Sequence, residues 1–135
     1  MSEFKSVRQI VEYAAKTYGD KDFCRYYLGN YAYKKSYNEF YEDALAVARY
    51  IRHINPGRMH IAFIGKTNYE YIACLTGMIF SGNVVVSFAL DITDDEATKL
   101  FDDADIEMLF CEEEMMATAI EIQKRTPALK KIVSL

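Results

Sequence analysis

The sequence predicts an α/β domain in three layers: a mostly parallel sheet with helices on both faces, preceded by an N-terminal β-hairpin. Three observations predict it. The first is His60–Ile64, a short apolar run of the kind that suits a strand buried on both faces, set between Pro56-Gly57 and Gly65. The second is the helical spacing of Ile72, Leu75, Met78 and Ile79, closed by Ser81-Gly82-Asn83 and followed by the β-branched Val84-Val85-Val86. A crossover helix between two strands implies parallel pairing. The third is the recurrence of the pattern after Leu90, with strand candidates at Ile106–Cys111 and Lys131–Ser134 separated by helical stretches.

The elements follow in order. Ser6 to Tyr18 reads as a helix with Val7, Ile10, Val11, Ala14, Ala15 and Tyr18 on one apolar face, stopped by Gly19-Asp20. Phe23–Leu28 and Tyr31–Lys35 are aromatic-rich runs joined by Gly29-Asn30, a two-residue link that tolerates positive φ and signals a hairpin. Ser36 with Glu39 forms a capping box; the helix behind it buries Phe40, Ala44, Val47, Ala48 and Ile51. Asn55-Pro56-Gly57 ends it. After His60–Ile64, Thr67 with Glu70 predicts a second box opening the crossover helix, and Thr93 with Glu96 a third. Behind the third box Ala97, Leu100 and Phe101 supply the apolar side. Glu112–Glu114 leads into a last helix carrying Met115, Met116, Ala119, Ile120 and Ile122, broken by Thr126-Pro127.

Composition narrows the function classes. The chain has 135 residues, enough for one domain with a core, and its 51% hydrophobic content argues against disorder. A net charge of −4 with no basic stripe offers nothing to nucleic acid. Cys24, Cys74 and Cys111 form no CxxC and no metal spacing, which fits thiols in a reducing cytoplasm. The amino-terminal MSEFKSVRQIVEY has no apolar core like that of a signal peptide. Tyr71–Leu90 carries no charge and is about long enough to cross a bilayer. The Ser-Gly-Asn break in its middle and the three valines after it argue against a span.

The sharpest chemical signal is Gly65-Lys66-Thr67 between a strand and a helix, which matches the end of a phosphate-binding P-loop. The first glycine of that motif would fall at His60, inside the strand, so the loop is too short to wrap a phosphate. His53 and His60 have no neighbouring nucleophile or metal pattern. Asp102, Asp103, Asp105 and the Glu112–Glu114 run lack EF-hand spacing and read as solvated acidic faces. From the residues alone, no catalytic, cofactor-binding or metal-ligating position is assigned. A self-contained binding module of flavodoxin-like or receiver-like build is weakened by Gly65, which stands where a receiver would place an acid pair.

The order of segments resembles the N-terminal part of the adenylate-forming (AMP-binding) superfamily, which holds acyl-CoA synthetases such as long-chain-fatty-acid–CoA ligases, luciferases and peptide-synthetase adenylation domains. Ser36-Tyr37-Asn38-Glu39-Phe40 is similar to the family's T-Y-x-E-L helix, and His60-Ile61-Ala62-Phe63-Ile64 to its V-A-I strand. Asn68-Tyr69-Glu70 is similar to its N-x-x-E helix start, and Ser81-Gly82-Asn83-Val84-Val85 to its A-G-A-V turn. Pro127-Ala128-Leu129-Lys130-Lys131-Ile132-Val133 resembles its P-x-L-K-x-I-I strand. One departure is visible: Ser87 stands where the family usually has a proline.

The resemblance implies that residues 1–135 are one N-terminal domain of a longer ATP-dependent ligase, in which ATP, Mg²⁺ and CoA serve the intact enzyme. An amino acid loaded onto a carrier protein is the alternative chemistry. The family's phosphate loop, adenine stretch, ribose-binding Asp and catalytic Lys have no counterpart in these residues, so the chain alone is expected to be inactive. Its expected partners are the remainder of the ligase, or a second copy paired through an exposed sheet edge or apolar face.

Overall fold

The computed structural model describes residues 3–135; Met1 and Ser2, the first residues of the amino-terminal stretch, lie outside the described residues. The order is α1 (Val7–Tyr18), β1 (Asp22–Leu28), β2 (Tyr31–Ser36), α2 (Tyr37–Ile54), β3 (His60–Ile64), α3 (Tyr69–Phe80), β4 (Val84–Phe88), α4 (Asp94–Asp103), β5 (Met108–Cys111), a 3₁₀ turn (Glu113–Met115), α5 (Met116–Arg125) and β6 (Lys131–Ser134). Strands β4-β3-β5-β6 form a sheet in that spatial order, every pair parallel. The hairpin β1–β2 is a separate antiparallel sheet whose tip is Gly29-Asn30, with Gly29 at φ +59°.

Alternation along the strands builds two cores. Ile61, Phe63, Met108 and Phe110 point to one face, where they meet Ile51 of α2 and Cys74 and Met78 of α3. Ala62, Ile64, Leu109 and Cys111 point to the other, against Ala97 and Phe101 of α4 and Ala119 and Ile122 of α5. Helices thus cover both faces, as a near-continuous apolar strand requires. Among the described residues no helix is long and apolar enough to cross a membrane. The uncharged stretch Tyr71–Leu90 instead divides into most of α3, the turn at Gly82 (φ +82°), and β4.

Two of the three capping boxes form, at Ser36/Glu39 and Thr93/Glu96. The expected box at Thr67/Glu70 does not: Asn68 caps α3, its side chain accepting from the Tyr71 amide. With Asn68 as cap, the position three residues on is Tyr71, which has no carboxylate to return the bond. The buried face of α3 also differs from the expected one. Ala73, Cys74, Thr76, Gly77 and Met78 are buried, while Ile72 and Ile79 are exposed. Leu100 of α4 and Ile120 of α5 are likewise exposed rather than in the core. On α1 only Ala15 is buried, and Val7 and Ile10 keep 44% and 49% of their surface.

An aromatic stack ties the hairpin to the helices. Phe23 lies flat on Phe40 (centroids 4.1 Å, 11°) and Tyr26 on Tyr69 (5.7 Å, 2°). Beneath them Asp43 accepts from the Tyr69 hydroxyl (2.6 Å) and from Lys35 Nζ (3.0 Å). Burial and then the Asp43 hydrogen bond push the Tyr69 phenol well above its ordinary range. Tyr27 and Tyr31, by contrast, stand at the hairpin tip, 75% and 72% exposed.

Candidate functional site

Strand order decides where a ligand would go. The chain leaves β3 through α3 on one face and β5 through α5 on the other, so the carboxyl ends of β3 and β5 part at a topological switch point. In open α/β sheets ligands bind in the crevice outside such a point. Here the crevice is open, about 550 Å³, and its wall includes Phe63, Asn68, Glu112, Glu113 and Glu114.

The P-loop-like residues end β3 on one side of this crevice, and the acidic run ends β5 on the other. The two stretches have no link in the sequence; the parallel pairing of Ile64 with Cys111 brings them together. Glu112 Oε1 accepts from the Lys66 amide at 2.6 Å, and Lys66 Nζ lies 2.9 Å from Glu114 Oε1 and 3.9 Å from Glu112 Oε2. The Glu114 carboxylate raises the Lys66 ammonium above its ordinary value. A Cβ at Gly65 would collide with the Phe63 ring and stand 3.2 Å from Glu112 Oε1, so glycine is what lets the carboxylate approach. The amide and ammonium that a phosphate would need are therefore already held by carboxylates. Four glutamates around the opening, Glu70 and Glu112–Glu114, repel a further anion. Glu112→Ala is expected to return the Lys66 amide to water and to lower stability by about 1–2 kcal/mol, read by urea titration.

The other singled-out residues are structural or solvated. His60 Nδ1 lies 2.6 Å from the Ala104 carbonyl oxygen, which accepts the ring N–H. Ser87, at the position where the family has a proline, shares a hydrogen bond of 2.7 Å with the Tyr71 hydroxyl. Cys74 and Cys111 are buried and Cys24 half-buried, all unpaired; burial and, less, Glu70 push the Cys74 thiol up to about 11. Among the described residues no group of three or more His, Cys, Asp or Glu side chains is placed to hold a metal ion.

The model of the family described as AMP-binding enzyme matches residues 11–135. No curated protein matches the sequence. Among solved structures, the N-terminal domain of FACL13 from Mycobacterium tuberculosis is similar with a TM-score of 0.86 at 11% identity, over 98% of this chain and 34% of that one. A long-chain-fatty-acid-CoA ligase (FadD1) from Archaeoglobus fulgidus gives 0.87 at 12% identity, over 100% of this chain and 28% of that one. The A-PCP didomain of carboxylic acid reductase from Segniliparus rugosus, in complex with AMP, gives 0.87 at 17% identity, over 100% and 22%. The chain thus spans about a third or less of the length of these proteins, and its four-strand parallel sheet, covering helices and hairpin follow the fold of the matched portions. With the family model matched across all but its first ten residues, this chain belongs to the AMP-binding enzyme family.

Proposed function

We propose that the chain is the non-catalytic N-terminal portion of an ATP-dependent acyl-CoA ligase. In the intact enzyme a fatty or related carboxylate attacks the α-phosphate of ATP, giving an acyl-adenylate and pyrophosphate. The CoA thiol then displaces AMP. One observation supports assigning the chemistry to other residues: in the wall of the switch-point crevice, Glu112 accepts from the Lys66 amide. The crevice does not suit an ATP phosphate, because carboxylates already hold the amide and the ammonium it would use and repel its charge. Among the described residues no group of three or more His, Cys, Asp or Glu side chains is placed to hold Mg²⁺, so we assign the metal, with ATP and CoA, to the remainder of the ligase.

The role left to these residues is scaffolding. The outer edges of β4 and β6 are each unpaired, and Val7 and Ile10 of α1 are exposed, which suits docking by the remainder of the ligase. The same edges would serve pairing between two copies. Three unpaired cysteines, two of them buried, support a cytoplasmic setting. A carrier-protein thiol in place of CoA is the second reading, favoured by an overlap with the A-PCP didomain as high as that with the archaeal ligase.

The test is ATP–pyrophosphate exchange. Incubated with ATP, Mg²⁺, a fatty acid and labelled pyrophosphate, the 135-residue chain is expected to show no exchange above the blank. Exchange would put the adenylating groups within these residues and overturn the proposal. The chain extended by its downstream coding sequence is expected to exchange with a fatty acid and to form a thioester with CoA. An extended chain that charges a carrier protein with an amino acid instead selects the second reading.

A further inference from the structure

A second groove lies at the opposite end of the sheet from the crevice. Here α1 meets the last turns of α2 and α3, next to the amino-terminal ends of β3 and β4. Arg8, Arg49 and Arg52 rim it, over a floor of Leu45, Ala48 and Phe80. Two of the three guanidinium groups are held in place. The Arg8 guanidinium carbon stands 5.9 Å from the Phe80 ring centroid, and Arg52 Nη1 donates to the Ser81 carbonyl at 3.2 Å.

No acid lines this groove. Among the described residues Arg8, Arg49 and Arg52 form no salt bridge, in a chain whose net charge is −4. The acid one turn along α1 from Arg8 is Glu12, and it is taken by Lys16 at 3.1 Å. The helix dipole accounts for cations near the end of α2, where Arg52 sits in the last turn. It does not account for Arg8, in the first turn of α1, where a positive charge is disfavoured. Three unneutralised guanidinium groups sharing one groove repel one another, and an anion seated between them removes that repulsion.

We propose that this groove binds a phosphate group. Guanidinium forks match phosphate oxygens two at a time, and an apolar floor strengthens such bonds by excluding water. The groove holds about 480 Å³ and its rim is entirely helical, so its backbone groups are already bonded within helices. An extended acidic peptide would find no main-chain partner there, whereas a phosphate needs only the side-chain donors. The phosphate belongs either to a soluble polyphosphate or to a lipid headgroup.

Inorganic pyrophosphate, titrated against the chain and followed by amide NMR shifts, tests the site. Saturable binding is expected, with the shifts centred on Arg49–His53 and Phe80. Arg49→Gln, at an exposed position outside the core, is expected to weaken it by about tenfold, the scale of one charge-assisted hydrogen bond. Arg8→Gln should act in the same direction. Vesicles of phosphatidylcholine with and without phosphatidic acid separate the two sources. Sedimentation with phosphatidic acid vesicles, lost in Arg49→Gln, assigns a headgroup; pyrophosphate binding without vesicle association assigns a soluble phosphate. Absence of saturable binding to either, or binding that both variants leave unchanged, overturns the proposal.

Discussion

Phe101→Ala is expected to lower the unfolding free energy by about 3–5 kcal/mol, the cost of deleting a buried aromatic ring. Phe101 is fully buried in the core between the sheet and α4–α5, among Ala62, Ile64, Ile106 and Leu109, with the Phe88 ring 5.0 Å away. Those neighbours cannot close on the space left behind. Ala62, Ile64 and Leu109 are held by parallel ladders between β3 and β5, and Ile106 by a 3.0 Å hydrogen bond from its amide to the Phe101 carbonyl. A domain of this size is stable by only about 5–15 kcal/mol, so at the lower end one ring accounts for more than half of the total. The chain has no Trp, so far-UV circular dichroism in a urea titration is the suitable reading. A loss below about 1 kcal/mol would mean that α4 does not seat its ring on the sheet as described.

Phe101 was legible in the sequence because its helix is amphipathic: a capping box at Thr93/Glu96, acids in the first turn, and Ala97 four residues before the ring. The strands were legible for a related reason, since short β-branched and aromatic runs bounded by turns have one plausible use. Helix α3 was harder. It is apolar nearly all round, so periodicity could not say which side faces α2, and bulky Ile72 and Ile79 were expected inside where small residues are found. Its start was ambiguous because Thr67 and Asn68 are both good caps, and only the backbone decides between them. On α1 the apolar face was read correctly as a pattern, yet Val7 and Ile10 remain exposed, because a stripe does not reveal whether anything lies over it. The crevice could not be read at all. Lys66 and Glu112 are far apart in sequence and meet only because β5 inserts beside β3. A signal was present in the acidic run that directly follows a strand, but its partner depends on strand order.

Gly77 is the residue on which the α2–α3 layer turns, and Gly77→Ala is expected to destabilise by about 2 kcal/mol. In an exposed helix the same change would stabilise by about 1 kcal/mol, because alanine is the better helix former. Here a methyl group at position 77 would stand 2.5 Å from Val47 Cβ and 2.7 Å from the Ala44 carbonyl oxygen. The second contact is with backbone, so no rotamer change relieves it; the two helices must separate. Overpacking of this kind costs about 1–3 kcal/mol, and a backbone clash belongs at the upper end. Separation would also draw Cys74 and Met78, through which α3 packs on the sheet, away from Phe63 and Ile61 of β3. The amino-terminal end of α3 carries Asn68, part of the crevice wall, so the disturbance would reach the switch point. Val47→Ala distinguishes the cause. It removes the Val47 methyl carbon that would stand 2.7 Å from the added group but keeps the Val47 Cβ and the Ala44 carbonyl, so the double variant is expected to recover only part of the Gly77→Ala loss. Full rescue by Val47→Ala would mean that side-chain methyls alone keep a larger residue out of position 77. A net gain in stability from Gly77→Ala would mean that α2 and α3 lie farther apart than this packing requires.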